Sequence, residues 1–204
     1  ISMSKKNWSG IAVVSKEVLS DAGISGRNLR LGLKVFQKQA KGNLSIQNKT
    51  PQTSAVIATY LSIDPERLRC ASVLIFDIKN ASQDNFRFLL PSSFVKDRLN
   101  IHDEGKMIKE KIYKKTKEGH LWNVKLQKKV RGRYMLYLFY EIPTREIKKH
   151  YVLPELKVHV DRFQGYFGVA ATAEAEIEMK PQNLKSIPVS KLPIFSHPEF
   201  PLNV

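Results

Sequence analysis

Apolar and polar residues alternate along much of this chain, and the alternation is clearest between residues 106 and 142. Trp122, Val124 and Leu126 alternate with Asn123, Lys125 and Gln127. A period of two sends one set to a core and the other to water, which predicts a strand. Tyr134–Tyr140 follows as an unbroken apolar run, as in a strand buried on both faces. The pattern predicts strands near 106–115, 121–129 and 133–142. Hairpin turns are expected at Lys117–Glu118–Gly119 and at Arg131–Gly132. Upstream, Ser54–Ile63 and Arg67–Ile78 are rich in β-branched residues and read as strands, with a polar turn at Asn80–Asn85 and a short strand at Phe86–Leu90. Downstream, Tyr151–Val160 reads as an edge strand broken by Pro154. Val169–Met179 alternates small or apolar residues with Glu174, Glu176 and Glu178.

Helical signals are few. Ser15 has the chemistry of an N-cap, Lys16–Ala22 follows as a short helix, and Gly23 is its expected stop. A second short helix is expected at Ser93–Leu99, after Pro91. The segment 16–38 admits two readings. As helix, turn and second basic helix it would be a helix-turn-helix. As a strand, Leu29, Leu31, Leu33 and Val35 alternate with Asn28, Arg30, Gly32 and Lys34. Gly32 inside a helix would cost roughly 1 kcal/mol relative to Ala, which favours the strand.

These elements predict an α+β, β-dominated fold: an antiparallel sandwich or open barrel with one or two short helices. The expected organisation is a flexible basic arm over 1–9, a single β-rich domain over 10–180 and an extended tail over 181–204. The tail contains Pro181, Pro188, Pro193, Pro198 and Pro201 among many apolar residues. It is too apolar for a solvated linker and is expected to pack on the domain or on a neighbouring copy. Ile1 and Ser2 precede Met3, which reads as the native start.

Charge changes the picture most. The formal net charge is +15, and it is clustered. Residues 1–50 carry nine Lys and Arg against two acids, and 106–149 carry fourteen against four, while the blocks between and after are near neutral. Such a field attracts nucleic acid, acidic lipid or an acidic protein. The leading expectation is non-enzymatic, sequence-tolerant binding of RNA or DNA through basic β-hairpins. The candidate residues are Lys109, Lys111, Lys114, Lys115, Lys117, Lys125, Lys128, Lys129, Arg131 and Arg133, helped by Arg27, Arg30 and Lys34. Lysine outnumbers arginine in the cluster, which suits backbone contact over base reading. Tyr113, Trp122, Tyr134, Tyr137 and Tyr140 interleave with the cations. They would either stack on bases or face a core, and the strand pattern favours the core.

The alternative is a structural assembly protein, of viral matrix or movement type, acting on an anionic membrane or a ribonucleoprotein and self-associating through its tail. That rests on composition alone. A third reading, a metal-dependent nuclease, would use Asp161, Glu178 and Lys180, because an acid followed by acid-x-Lys is a common way to hold Mg²⁺ and a water. The acidic alternation around Glu178 explains those residues as a solvated strand face equally well. No phosphate loop or dinucleotide fingerprint is present, and the five histidines make no metal-binding spacing. No cofactor is expected. The single cysteine, Cys70, reads as a core residue and suits a reducing compartment. With no run near ~18 apolar residues and no signal peptide in view, an intracellular location, cytoplasmic or nuclear, is expected.

Overall fold

The long alternations become strands. The computed structural model describes residues 9–26, 31–42, 49–64, 67–94, 96–143, 153–171, 178, 180 and 183–193. Two compact units divide the chain, 1–49 and 50–204.

In the first unit, β1 (Ile11–Val14) pairs antiparallel with β2 (Gly32–Val35). The helix α1 (Lys16–Asp21) lies between them in sequence. Gly23 takes a positive φ of 73°, and the Ile24 amide donates to the Leu19 carbonyl at 2.8 Å. That closes the helix as its sequence predicts. Leu19 packs directly over Gly32, where a Cβ would overlap it. Because Gly32–Val35 is a strand, the helix-turn-helix alternative is removed.

In the second unit, β3 (Gln52–Asp64) and β4 (Arg67–Leu90) are followed by the short β5 (Asn100–His102), then β6 (Ile108–Lys115) and β7 (His120–Pro143). The chain closes with β8 (Lys157–Val158) and β9 (Arg162–Ala171). They form one seven-stranded sheet in the order β5-β7-β4-β3-β9, with β6 also on β7 and β8 also on β4. All its pairings are antiparallel except β3 with β9, which is parallel. The fold is β-dominated with almost no helix, its sheets are open rather than closed, and it fits a β-sandwich.

Two strands of 24 residues each, β4 and β7, make the sandwich. The first half of β4 pairs with the second half of β7, and its second half with the first. Their register shifts between Ile78 and Asn85, where the sheet folds over itself. Phe76 and Phe86, ten positions apart on one strand, come within 4.6 Å between ring centroids. Phe86 also lies 4.9 Å from Tyr134. Even-numbered residues of both strands, among them Leu74, Phe76, Phe88, Val124, Leu136 and Leu138, face this common core. The turn expected at Arg131–Gly132 does not exist, because Gly132 sits inside β7 opposite Ile78 with a φ of 84°. Likewise Asn80–Asn85 bends β4 rather than ending it. Bulges and positive-φ residues turn a strand through a corner without breaking it.

The second expected helix is a single 3-10 turn, Lys96–Arg98. Of the strand expected over 151–160, residues 151 and 152 lie outside the described residues, and among the rest only Lys157–Val158 is a strand, paired with β4. The arm up to residue 8, the short segment 43–48, the run 172–177 and the tail beyond residue 193 lie outside the described residues. Within the tail, the Tyr60 hydroxyl donates to the Pro193 carbonyl, and Leu192 lies against Gly168.

Candidate functional site

β6 and β7 are joined by the turn 116–119, where the Thr116 amide donates to the Gly119 carbonyl at 2.8 Å. Gly119 has a φ of 145° and lies so close to the Leu90 carbonyl that a Cβ there would overlap it. Only glycine satisfies both conditions. The turn fixes the register of the hairpin and so decides which cations share a face.

That register pairs Tyr113 with Trp122 and Lys111 with Val124. Trp122 and Val124 belong to the core, so Lys111, Tyr113 and Lys115 take the inward parity and Glu110, Ile112 and Lys114 the outward one. Across the sheet, Lys114 stands beside Leu121, Leu121 beside Leu89, and Leu89 beside Lys157. The next row is Ile112, Asn123 and Arg87, and the one after is Glu110, Lys125 and Asn85. The outer face of β6, β7, β4 and β8 therefore carries Lys114, Lys125, Arg87 and Lys157 around Ile112, Leu121 and Leu89. Ile112 is 44% exposed. Lys129, Arg131 and Arg133 continue the outward row along β7 and are exposed. Lys128 is exposed at the bend, and Lys109 and Lys117 are exposed on β6 and in the turn.

Ten of the sequence-derived candidates thus lie on the β6–β7 hairpin and its continuation. Lys34 is exposed in β2 of the first unit, and Arg27 and Arg30 lie outside the described residues. Among the described residues none of the ten is ion-paired; the pairs present are Arg69 and Arg98 with Glu141, Lys79 with Asp77, Lys157 with Glu155, and Lys180 with Glu178. Lys111 instead donates to the Ile101 carbonyl at 2.8 Å. Glu110 and Lys125 are cross-strand partners and still form no ion pair.

Sequence reasoning did not find Ile112, Leu121, Leu89, Arg87 or Lys157 as part of this face. They come from four strands, and only the register brings them together. The one available signal was Ile112, an apolar residue among lysines at the outward parity.

Trp122, Tyr134 and Tyr140 face the core, and Tyr137, at the outward parity, is covered as well. Trp122, Tyr134, Tyr137 and Tyr140 are each at most 8% exposed. Tyr113 is half-buried, its hydroxyl 2.8 Å from Nδ1 of His120. Burial raises the Tyr134 and Tyr140 hydroxyls well above the ordinary tyrosine range, helped at Tyr134 by the Asp103 carboxylate. It raises Tyr137 to about 12, with Glu104 adding to the shift through a hydrogen bond of 2.6 Å.

The nuclease constellation does not assemble. Asp161 is occupied in structure: its Oδ2 accepts from the Thr53 amide at 2.8 Å, and its own amide donates to the Thr53 carbonyl at 2.9 Å. It locks the start of β9 to β3. Glu178 pairs with Lys180 at 3.9 Å, both in solvent. Among the described residues no three His, Cys, Asp or Glu are grouped to hold a metal ion. Cys70 is buried, which pushes its thiol up to about 12. No helix among the described residues is long and apolar enough to cross a membrane.

No protein-family model matches the chain, and no curated protein sequence matches it. Among solved structures it is similar to the seventh ScaB type I cohesin from Pseudobacteroides cellulosolvens, at 11% identity and a TM-score of 0.36, over 64% of this chain and 99% of that one. It is also similar to a non-cellulosomal cohesin from the hyperthermophilic archaeon Archaeoglobus fulgidus, at 9% identity and a TM-score of 0.35, over 60% of this chain and 94% of that one.

The expectation of RNA or DNA binding through basic hairpins is corrected by the structure. The second basic hairpin does not exist, because β7 runs unbroken through Arg131–Gly132. Of the aromatic side chains that would stack on bases, Trp122, Tyr134 and Tyr140 are in the core, Tyr113 packs against it, and Tyr137 is buried. The other partners expected from composition, an anionic membrane, a ribonucleoprotein or a second copy held through the tail, are set aside with it, as are the viral assembly reading and the nuclease reading, whose Asp161 is held by the Thr53 amide.

Proposed function

We propose that this chain is a non-enzymatic protein-binding module that docks an acidic protein on the outer face of β6, β7, β4 and β8. One observation carries the reading: Lys114, Lys125 and Arg87, with no carboxylate partner among the described residues, surround Ile112, Leu121 and Leu89 on a sheet face, joined by Lys157, which pairs with Glu155. Exposed ion pairs contribute only about 0.2–1 kcal/mol each. Charge alone would therefore give fast but weak association. Burying the remainder of Ile112 adds about 1 kcal/mol, and the surrounding rim of cations selects partners by sign. The flat face suits a protein surface better than a small ligand, which needs a concave site. The buried cysteine, with no second cysteine to pair with, suits a cytoplasmic or nuclear location.

The test is site-specific photo-cross-linking in the source cells, with the reactive side chain at position 112 or 114 and a control at position 189. Protease-sensitive adducts at 112 and 114, with linked peptides rich in Asp and Glu, are the expected result. Adducts sensitive to nuclease instead, or equal labelling at 189, would defeat the proposal. With the partner in hand, Lys114→Glu together with Lys125→Glu is expected to weaken binding at least tenfold.

A further inference from the structure

The same face ends at an open strand, and that edge points to how the partner is held. Among the described residues β6 pairs with β7 alone. Its other side is in solvent: Lys109, Glu110, Lys111, Ile112, Lys114 and Lys115 are all exposed. A groove of about 440 Å³ runs beside it, with Ile101 and His102 on one wall and Ile108, Lys109 and Lys111 on the other. Asp103 also lines the groove, but its carboxylate is turned to the Met107 amide at 2.8 Å. An open edge offers a row of backbone donors and acceptors to any extended chain that fits.

We infer that β6 accepts an extended acidic segment of the partner protein as an added β-strand. This rests on the protein-binding reading above and specifies its geometry. Three features select the occupant. First, a strand added to β6 faces Lys111, Tyr113 and Lys115 on its inner side, at alternate positions. Carboxylates four residues apart would meet the two lysines, with a residue that packs on Tyr113 between them. Lys111 spends one of its three N–H donors on the Ile101 carbonyl and keeps two for a carboxylate. Second, the outer side of the added strand faces Glu110, Ile112 and Lys114, which calls for an apolar residue opposite Ile112 and an acid opposite Lys114. Third, a second copy of β6 is excluded, because lysines would then oppose lysines, and like charges directly across a sheet are destabilising. Lysine-rich edges protect against self-pairing. Here the same lysines leave pairing open to a strand of the opposite sign.

The experiment uses the full chain and three synthetic fluorescent nonapeptides. The first is an extended Thr/Val sequence with Glu at two positions four residues apart. The second is the same peptide N-methylated at alternate residues, made in both registers, so that charge is kept and one hydrogen-bonding edge is blocked. The third places the two Glu side by side. Binding is followed by fluorescence anisotropy, and hydrogen exchange is measured at the amides of residues 109–115. The first peptide is expected to bind and to slow exchange in β6. One N-methyl register is expected to weaken binding at least tenfold, and the third peptide at least threefold. Lys111→Glu with Lys115→Glu is expected to reverse the preference, toward a peptide with Lys at the same two positions. Equal binding in all forms, or binding without protection of β6, would overturn strand addition while leaving the acidic-face reading intact. Absence of binding by every peptide would overturn strand addition too, and cross-linking at residue 112 then decides the broader reading by itself. Concentration-dependent protection of β6 in the chain alone would assign the edge to a second copy and overturn the inference.

Discussion

A buried thiol and three buried tyrosine hydroxyls show how position rewrites chemistry at the scale of one residue. Burial pushes the Cys70 thiol up to about 12. At pH 8 its thiolate fraction is then on the order of 10⁻⁴, against roughly a quarter for a free thiol. Alkylation by iodoacetamide at pH 8 is expected to be at least a hundredfold slower in the native chain than in the denatured one. A native rate equal to the denatured rate would place Cys70 outside the core. The tyrosines act in concert at higher pH. Tyr134, Tyr137 and Tyr140 hold their protons more firmly when folded than when unfolded. Below the ordinary value of about 10 both states are protonated and their contribution is constant. Above it the unfolded chain releases protons first, so stability falls as pH rises, at least through the Tyr137 value of about 12. Urea midpoints measured from pH 9 to 12 are expected to decline steadily, and Tyr140→Phe is expected to flatten that decline. A midpoint constant over the range would contradict the burial of these hydroxyls.

At the scale of the element, two glycines in basic surroundings looked alike in the sequence and serve different purposes. Gly119 makes a true turn against the Leu90 backbone, whereas Gly132 lets β7 bend and has open space around it. Gly119→Ala is expected to cost at least ~2 kcal/mol, from forced backbone geometry and overlap together. Gly132→Ala carries only the conformational penalty, about 1 kcal/mol. Chemical denaturation of the two variants side by side checks the order, and a reversed order would contradict the bend. The same ambiguity explains the polar stretch 80–85. Gly, Asn, Asp and Ser permit both reversals and corners, and a local pattern does not say which one the sheet requires. The inner parity of Trp122, Val124 and Leu126 was legible because alternation is a local property. Which strand lay beside it was not.

For the whole molecule, the core cluster among the described residues runs from Ala55 to Val169, all within the second unit. A fragment spanning 50–204 is therefore expected to keep a β-type circular dichroism spectrum and to unfold cooperatively. A broad, non-cooperative transition would show that the first 49 residues are required for that core. The charge is also a property of the whole chain. It was visible as +15 in the sequence, yet the distribution of the cations over an outer face, an open edge and a bend came from the folding of two long strands.

The sequence by itself determined that the chain is β-dominated, that Cys70, Trp122 and the Tyr134–Tyr140 run are interior, and that 106–133 is the cationic part. These follow from composition and a period of two, and both are local. Tertiary structure alone decided that β4 and β7 each pass through a corner, that β9 runs parallel to β3, and that Ile112, Leu121, Leu89, Arg87 and Lys157 share one face with Lys114 and Lys125. It also decided that Tyr113, on the cationic edge strand, packs against Trp122 and His120. The physical reason is register: a shift of one residue exchanges the two faces of a strand, and register is set by partners distant in sequence.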